Sequence, residues 1–473
     1  MIKRNNSIIG VLLVTIGMMI GILTIIVRDK LIYTPSSETT TADDFFKDVK
    51  SLFELIEQNA YFYQNDVLLR DGAIRGVVDS LADPYSVYFS ENEYLDFNNE
   101  LNRELCGIGI TTVINGSYPL IIKVNDNSPA EKAGLKTGDI IKFIDSKHVE
   151  NLSSAEISNL IRGEKGVVRD IGVYQENPNH ISYHKVTLDK IIVKTVNYTY
   201  EQIDKEIMGY LKIDSFGVNT FSELNQAMND LETIGIDKLI IDVRDNPGGL
   251  LSSVKEVLDY FINSNIPFMY SRTRDNSESK DYLNEIDKEI DYDIVILINE
   301  YSASAAEIFA VTMYELGGYD LVGTTTYGKG TMQIIYTINN GSIIVKLTTG
   351  IWLTPSKEWI QDIGVKPTKE VKRNGQFYLV DSYKDISYDI VNDEVKKVQL
   401  FLKSKYHYDI RTDGYFDRIT ENAVKDYQLN NRLLVTGYID HNTAYYINIE
   451  LIKEWFDLKN DTQYLAAKAH LNE

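Results

Sequence analysis

The chain has 473 residues, long enough for about three domains, and its hydrophobic (44%) and charged (25%) fractions are those of a folded globular protein. With 48 basic and 69 acidic residues, its net charge of −21 disfavours nucleic acid and anionic membrane surfaces as partners, and no basic stripe with interleaved aromatic residues occurs. The single cysteine, Cys106, excludes an intramolecular disulfide and a cysteine-built zinc site, and the 6 histidines lack ligand spacing, so the sequence predicts neither a metal nor a cofactor.

The first predicted element is the apolar run from Ile8 to Val27, which follows Lys3 and Arg4 and carries no charge. A helix of about 20 residues spans about 30 Å, the hydrocarbon thickness of a bilayer, and a helix that is apolar on every face is unusual in a soluble core. No small-x-small cleavage site follows the run, which favours an uncleaved anchor over a signal peptide. The sequence therefore predicts a transmembrane anchor within 1–30 and a single-pass protein of the cell membrane. Flanking charges orient the anchor only weakly, and an extracytoplasmic catalytic part is expected.

Residues 31–41 form a polar linker, after which apolar residues recur at helical spacing from Ala42 to Leu81. The pair Asp83-Pro84 ends that pattern, and we assign 42–104 to a helical N-terminal part of the domain that carries the chemistry. Residues 105–192 read as short strands with turn residues between them and two short helices, which predicts a small β-barrel.

From Gly209 onward strands and helices alternate, and the strands are continuous apolar runs. Such strands are typical of a sheet that is covered on both faces, so 193–370 is predicted to be an α/β domain. The pattern loosens in a linker at 371–390, returns as a compact helical unit at 391–455, and leaves a C-terminal tail at 456–473.

Two strand ends carry candidate site residues. In the segment from Asp242 to Gly249, two consecutive glycines before a helix let backbone N–H groups approach an anion, although an ordinary strand-to-helix turn is the alternative. In the segment from Asn299 to Ile308, Ser304 lies among alanines at a helix start, where small neighbours leave room for a substrate. Helix capping by a serine, with Glu307 completing a capping box, would explain one serine but not the crowd of small residues.

A third segment, from Thr326 to Gln333, places Lys329 between two glycines in a turn. A serine hydroxyl needs a base to take its proton, and lysine is the known alternative to histidine, which does not occur near Ser304 in the sequence. A lysine base must be neutral, so it has to be desolvated enough to lower its pKa from about 10.4. A solvated surface lysine is the alternative. The order and spacing of the three segments together predict a Ser-Lys site.

With NPGG, SASAxE and GKGxxQ in this order, the chain resembles the C-terminal processing (tail-specific) peptidases, the S41 family of Ser-Lys proteases. The matching segments are Asn246–Gly249, Ser302–Glu307 and Gly328–Gln333, with further matches at Asp83–Ser86 and Gly107–Ile110. The resemblance covers residues 42–370. It implies Ser304 as nucleophile, Lys329 as base and Gln333 as the residue that orients the lysine. It also implies an oxyanion hole built from the N–H groups of Gly248 or Gly249 and of Ala305. This sequence departs from the family pattern at Ala306, where many relatives carry a third serine. That position does not align with the nucleophile, so the departure does not put the activity in doubt.

The β-rich segment resembles a PDZ domain, and the loop Gly107, Ile108, Gly109 and Ile110 resembles its carboxylate-binding loop. Successive N–H groups of such a loop can hold a terminal carboxylate while a strand edge adds the peptide. Arg162 is a candidate link between this module and the peptidase core, with a plain surface arginine as an equal alternative.

The C-terminal helical unit resembles a three-helix peptidoglycan-binding-like domain. Its aromatic residues Tyr415, Phe416 and Tyr438 could line a glycan groove, although such residues are more often core. A protein-contact or dimerisation role is the alternative to wall binding.

The predicted fold is thus a multidomain α/β chain with a ClpP/crotonase-like α/β peptidase core, an inserted PDZ β-domain, an N-terminal transmembrane helix and a C-terminal helical peptidoglycan-binding-like domain.

The predicted function is a membrane-tethered serine endopeptidase that captures unstructured protein C-termini and cleaves through an acyl-enzyme. Peptide substrates and the membrane are the expected partners, and peptidoglycan and a homodimer are left open. A cell-wall-associated PDZ scaffold with a latched or inactive core is the alternative. An acyl-CoA enzyme on a related α/β spiral is disfavoured by the lysine base and the anchor.

Overall fold

The computed structural model describes residues 41–473 except 63–64, 102–103, 176, 178, 193, 285–289, 376 and 382–384. The chain divides into two units, Met1–Val77 and Val78–Glu473. In the first, helix α1 (Ala42–Asn59) begins at a capping box in which the Thr41 and Asp44 side chains each accept from the other's backbone N–H. Helix α2 (Asp66–Asp79) follows it and reaches the start of the second unit.

The predicted fold class needs a correction at its N-terminal helix. Within the described part of the chain, no helix is both long and apolar enough to cross a membrane. Helix α1 has 18 residues but carries several charged side chains, which are expensive to place in hydrocarbon. The predicted span from Ile8 to Val27 lies outside the described residues. The fold class is therefore a multidomain α/β chain to which the structure adds no transmembrane helix.

The β-rich domain is a six-stranded antiparallel sheet closed by two short helices. Its strands are β3 (Ile110–Asn115), β4 (Tyr118–Val124), β5 (Ile140–Ile144), β6 (Lys147–His148), β7 (Val168–Tyr174) and β8 (Ser182–Thr187), joined in the order β3-β4-β5-β7-β8 with β6 on β5. A separate ladder pairs β2 (Glu104–Gly107) with β9 (Asp189–Ile192). The helices are α4 (Pro129–Lys132) and α5 (Ser154–Ile161), and a capping box between Ser153 and Glu156 begins α5. One face of the sheet and both helices bury an aliphatic core.

The α/β domain is built on a second six-stranded sheet. Its strands are β10 (Val196–Ile203), β11 (Glu206–Ile213), β12 (Lys238–Asp242), β15 (Asp293–Ile298), β16 (Asp320–Gly323) and β19 (Lys369–Glu370), in that order. β10 is an antiparallel edge strand, and the other five are parallel. Strand β10 was not predicted, because its side chains are mostly polar and exposed. The helices α6 (Thr220–Ile234), α7 (Leu251–Phe261) and α8 (Ala305–Glu315) bury one face of this sheet.

A third, antiparallel sheet adds one wall of the catalytic domain. It contains β1 (Val87–Phe89), β13 (Met269–Thr273), β14 (Glu278–Asp281), β17 (Thr331–Ile338) and β18 (Ile343–Leu353), with β18 paired to β1, β13 and β17. Helix α3 (Glu91–Leu101) follows β1 and packs on it through the stacked rings of Phe89 and Phe97. The residue before β17 is Gly330, so this sheet fixes the position of the glycine-flanked lysine turn.

Three helices form the C-terminal domain: α9 (Asp393–Tyr406), α10 (Arg418–Asn430) and α11 (His441–Phe456). Phe416 is fully buried in its core, which makes it a packing residue, whereas Tyr438 is 47% exposed. Helix α11 also packs on the β-rich domain, where Tyr445 and Ile452 join that domain's core. The ring of His441 hydrogen-bonds the carbonyl of Gln175 at 2.9 Å.

The predicted C-terminal tail contains a further helix, α12 (Thr462–His470), that packs on the α/β sheet. Tyr464 and Ala467 cover the face opposite α6, α7 and α8, against Ile240 and Leu297. The parallel strands are therefore buried on both faces, as their continuous apolar sequence indicates.

A buried charge network joins this helix to the end of β12. Arg244 bonds Asp242 at 2.6 Å and Asp461 at 2.7 Å, and it donates to Oε1 of Gln463 at 2.9 Å. Burial alone would raise the pKa of Asp242, but Arg244 and Lys212 lower it below its usual range. The network ties the C-terminal helix to the strand that leads into the NPGG turn.

Replacing Arg244 by methionine is expected to lower the free energy of unfolding by about 3–5 kcal/mol, because it leaves two carboxylates buried without their main cation. Chemical denaturation measures this change. Arg274→Met, at an exposed position, is the control and should leave the unfolding midpoint where it is. Equal midpoints for both variants would contradict a stabilising role for the network.

Candidate active site

Parallel strands place the two predicted turns at one edge of the sheet. β12 and β15 are neighbours, so the segments that follow Asp242 and Ile298 leave the sheet side by side. The N–H of Ala303 donates to the carbonyl of Asn246 at 2.9 Å, and the Ser302 hydroxyl donates to the carbonyl of Val243 at 2.8 Å. These bonds hold the NPGG turn against the serine turn.

Ser304 lies at a strained turn immediately before α8. Its backbone angles, a φ of 56° and a ψ of −116°, belong to a region that residues other than glycine rarely adopt. A sharp strand-to-helix turn of this kind presents a hydroxyl at the tip of a sheet, as in nucleophile elbows. A Cβ at Gly248 would lie 2.7 Å from the carbonyl oxygen of Ala303 and 2.8 Å from the Ser304 Cβ. The close approach of the two turns therefore requires a glycine there.

Glu307 connects the serine turn to the lysine turn. Its fully buried carboxylate accepts the N–H of Ser304 at 2.8 Å. It also accepts the N–H groups of Gly328 at 2.6 Å and Lys329 at 2.8 Å, and the Thr326 hydroxyl at 2.6 Å. In the sequence analysis Glu307 has a role only in the alternative explanation of the serine turn, as the partner in a capping box. The bonds to the lysine turn could not be found from sequence spacing, since they cross from one turn to the other.

The Lys329 side chain is partly buried beside an aromatic ring. Its Nζ lies 4.6 Å from the ring centroid of Tyr85, which belongs to the Asp83–Ser86 motif. Burial lowers the pKa of Lys329, and the charge of Lys346 lowers it further, while Glu307 and Asp83 act in the opposite direction. The net effect is a pKa below the usual value for lysine, which is the direction that a base requires.

Gln333 lies on the same wall but points to other partners. Its Nε2 donates to the hydroxyls of Thr331 at 3.0 Å and Thr348 at 3.1 Å. No hydrogen bond between Gln333 and Lys329 occurs among the residues described. The role of Gln333 in orienting the lysine stays a prediction.

The predicted site residues line one cavity of about 730 Å³. Ser304, Ala305, Lys329, Gln333, Gly248 and Gly249 all line it. Arg162, at the end of α5, lines it as well, so the structure brings the candidate link of the β-rich domain to this cavity.

The two glycines of the predicted oxyanion hole differ in their hydrogen bonds. The N–H of Gly248 already donates to Oδ1 of Asn246 at 2.8 Å. The residues on either side of Gly249 bond to Phe216. The Phe216 N–H donates to the carbonyl of Gly248 at 2.9 Å, and the Leu250 N–H donates to the carbonyl of Phe216 at 2.7 Å. The N–H of Gly249 itself has no acceptor within the described part of the chain. Gly249 is therefore the better donor of the two, together with Ala305 in the first turn of α8.

The predicted carboxylate-binding loop lies in the β-rich domain, apart from this cavity's lining residues. Ile108 is buried, and its carbonyl accepts the N–H of Ala130 at 2.8 Å. Gly109 has a φ of 83°, and a Cβ there would lie 2.5 Å from the Ser128 Cβ. Strand β3 begins at Ile110, so the loop leads directly into a strand.

Comparisons with known proteins agree with this architecture. The family model described as peptidase family S41 matches residues 207–371, the PDZ domain model matches 97–169, and the model of a putative peptidoglycan binding domain matches 391–446. A model of the N-terminal domain of the activating protease CtpB matches 24–93.

Similar curated proteins extend over nearly the whole chain. The carboxy-terminal processing protease CtpB of Bacillus subtilis is 33% identical over 89% of this chain and 87% of its own length. CtpA of the same organism is 31% identical over 98% of this chain and 97% of its own. Among solved structures, a photosystem II D1 C-terminal processing protease is 23% identical, with a TM-score of 0.43, over 68% of this chain and 87% of that one. The predicted family is confirmed: the chain belongs to peptidase family S41, as a serine peptidase with a PDZ domain similar to the carboxy-terminal processing proteases.

Proposed function

We propose that the protein is an endopeptidase that cleaves peptide bonds through a Ser304 acyl-enzyme, with Lys329 as general base. The observation that carries this proposal is the bridge made by Glu307, which joins the turns of Ser304 and Lys329 beside one cavity. No histidine is among the described residues that line this cavity.

The proposed reaction begins with a neutral Lys329 Nζ that takes the proton of the Ser304 hydroxyl. The Oγ attacks the scissile carbonyl carbon, and the N–H groups of Gly249 and Ala305 stabilise the oxyanion that forms. Lys329 then gives its proton to the leaving amine. A water molecule, activated by the same lysine, hydrolyses the acyl-enzyme and restores both residues.

The PDZ domain supplies a means of selecting substrates in this proposal. Its Gly107–Ile110 loop would hold a substrate's terminal carboxylate, and the adjacent strand edge would add the peptide. The position of Arg162 in the cavity lining supports communication between the PDZ domain and the catalytic residues.

Two further predictions concern where the protein acts. The match of 391–446 to a peptidoglycan-binding model supports an interaction with the cell wall. Of the three predicted groove residues, Tyr415 and Tyr438 reach the surface and Phe416 does not. A location at the cell membrane with the catalytic part outside the cytoplasm stays a prediction from the sequence, and a homodimer stays open.

The test is to incubate the purified protein with an unfolded protein and to map the cut sites by mass spectrometry. Cuts that the Ser304→Ala protein does not make would support the proposal. An identical product pattern from both proteins would mean that a contaminant made the cuts.

We expect the cleavage rate to fall at acid pH as Lys329 becomes protonated. Because burial and Lys346 lower the pKa of Lys329, the half-maximal rate should lie below pH 10.5. The measurement is kcat/KM for one neutral peptide across a pH series, with circular dichroism at each pH to show that the fold persists. A flat profile over the range in which the protein stays folded would contradict a lysine base.

A further inference from the structure

The lining of the catalytic cavity carries basic but no acidic side chains among the described residues, although the chain as a whole is acidic. These basic side chains are Arg162, Lys329 and Lys346. The whole chain has 69 acidic and 48 basic residues, so a lining whose ionisable side chains are all basic is not what its composition predicts. In the proposed reaction Lys346 acts only indirectly, by lowering the pKa of Lys329, and no contact with the substrate has been assigned to it.

Lys346 occupies a fixed place on the wall of this cavity. It lies on β18, paired with Val87 of β1 and with Ile335 of β17. Its Nζ lies 5.1 Å from the ring centroid of Phe97 and 5.7 Å from that of Phe89. The side chain is therefore half-buried beside the stacked rings of Phe89 and Phe97, and its backbone is held by strands on both sides.

No carboxylate of the described residues makes an ion pair with Lys346. Asp83 is near enough to raise the pKa of Lys346, but burial has the larger effect and lowers it. The oxygens of Asp83 already accept the Ser86 hydroxyl at 2.6 Å and the N–H of Tyr85 at 3.1 Å. A partly desolvated ammonium whose near contacts are ring faces retains donors that a carboxylate can satisfy.

We propose that Lys346 selects substrates, and that the cavity prefers a peptide with a carboxylate close to the scissile bond. The carboxylate is either an aspartate or glutamate side chain or the substrate's own C-terminus. This inference rests on the proposed function in one respect: the scissile bond of the substrate must lie in this cavity. It differs from capture by the PDZ domain, because it acts inside the catalytic cavity.

The experiment compares matched peptides of one length. One pair carries aspartate or asparagine next to the cleaved bond, and a second pair ends in a free carboxylate or an amide near that bond. The wild-type protein should show kcat/KM about tenfold higher for the acid member of at least one pair. The pair that shows the preference identifies the source of the carboxylate.

Three variants test whether Lys346 causes the preference. Lys346→Met should reduce the acid-to-neutral ratio to about one, and Lys346→Arg should retain most of it. Lys280→Met, at an exposed position of β14 in the same sheet, is the control and should keep the wild-type ratio. Any contribution of the PDZ domain is common to all variants and cancels in the comparison.

The affinity of the same peptides is also measured for the Ser304→Ala protein, which should not cleave them, and for the Ser304→Ala, Lys346→Met double variant. This binding comparison separates the two proposals, since a chain without peptidase activity would still show the preference in affinity. Equal ratios in the wild-type and Lys346→Met proteins, in cleavage and in binding, would overturn the inference. So would a wild-type protein that shows no preference in either pair.

Discussion

Alanine in place of Ser304 or Lys329 is expected to abolish peptide cleavage while the fold persists. Ser304 supplies the attacking oxygen, and Lys329 is the candidate base in the cavity lining that can take its proton. In enzymes whose nucleophile and base act as a unit, loss of either costs on the order of 10⁴-fold or more in kcat. Both variants should therefore lose kcat by a similar factor.

The double variant distinguishes joint action from two separate defects. If Ser304 and Lys329 act in one step, removing both should cost about as much as removing one. The measurements are kcat for a fluorogenic peptide and the thermal unfolding curve of each protein. Tyr301→Phe, at a side chain that is 63% exposed just before the serine turn, should keep wild-type activity. Undiminished cleavage by either single variant would rule out the mechanism.

Glu307→Ala should cause the second-largest loss, in both activity and stability. The change leaves four donors without their acceptor: the N–H groups of Ser304, Gly328 and Lys329 and the Thr326 hydroxyl. Each buried donor that loses its partner costs about 1–3 kcal/mol. A displacement of about 1 Å between nucleophile and base costs about 100-fold in rate, so kcat should fall at least that far.

Glu307→Gln gives a graded control for this prediction. Each carboxylate oxygen of Glu307 accepts two hydrogen bonds. Glutamine replaces one of these oxygens by an NH2 group, which cannot accept a hydrogen bond from the N–H groups that point at it. The glutamine variant should therefore fall between wild type and alanine in kcat and in unfolding midpoint, with KM changing less than kcat. Glu300→Ala removes an exposed carboxylate with one bond to Thr324 and should change neither. Wild-type kcat in a folded Glu307→Ala protein would show that the bridge is not needed.

Local patterns were enough to predict three parallel strands of the catalytic domain, β11, β12 and β15, and its helices α6, α7 and α8. The sequences of β12 and β15 are short, apolar and followed by turn residues, and helix α7, which follows β12, shows the three-to-four spacing of one buried face. The glycine pair, the serine among alanines and the lysine between glycines were also visible, because each constraint lies within a few neighbouring residues.

Other elements depend on contacts between distant parts of the chain. The antiparallel wall of β13, β14, β17 and β18, the polar edge strand β10 and the helix α12 have weak local signals and form because partners elsewhere pair with them or cover them. The apolar run at the N-terminus gave a strong local signal for a membrane span, and the described residues contain no helix of that kind.

The sequence by itself determined the family, the order of the domains and the chemical types of the candidate nucleophile and base. Only the tertiary structure decided how those residues meet. The bridge at Glu307, the bond of Gln333 to Thr348 and the aromatic neighbours of Lys346 are each set by groups that are far apart in the chain. Hydrogen bonds and desolvation depend on distance in space, and spacing along a sequence does not specify that distance.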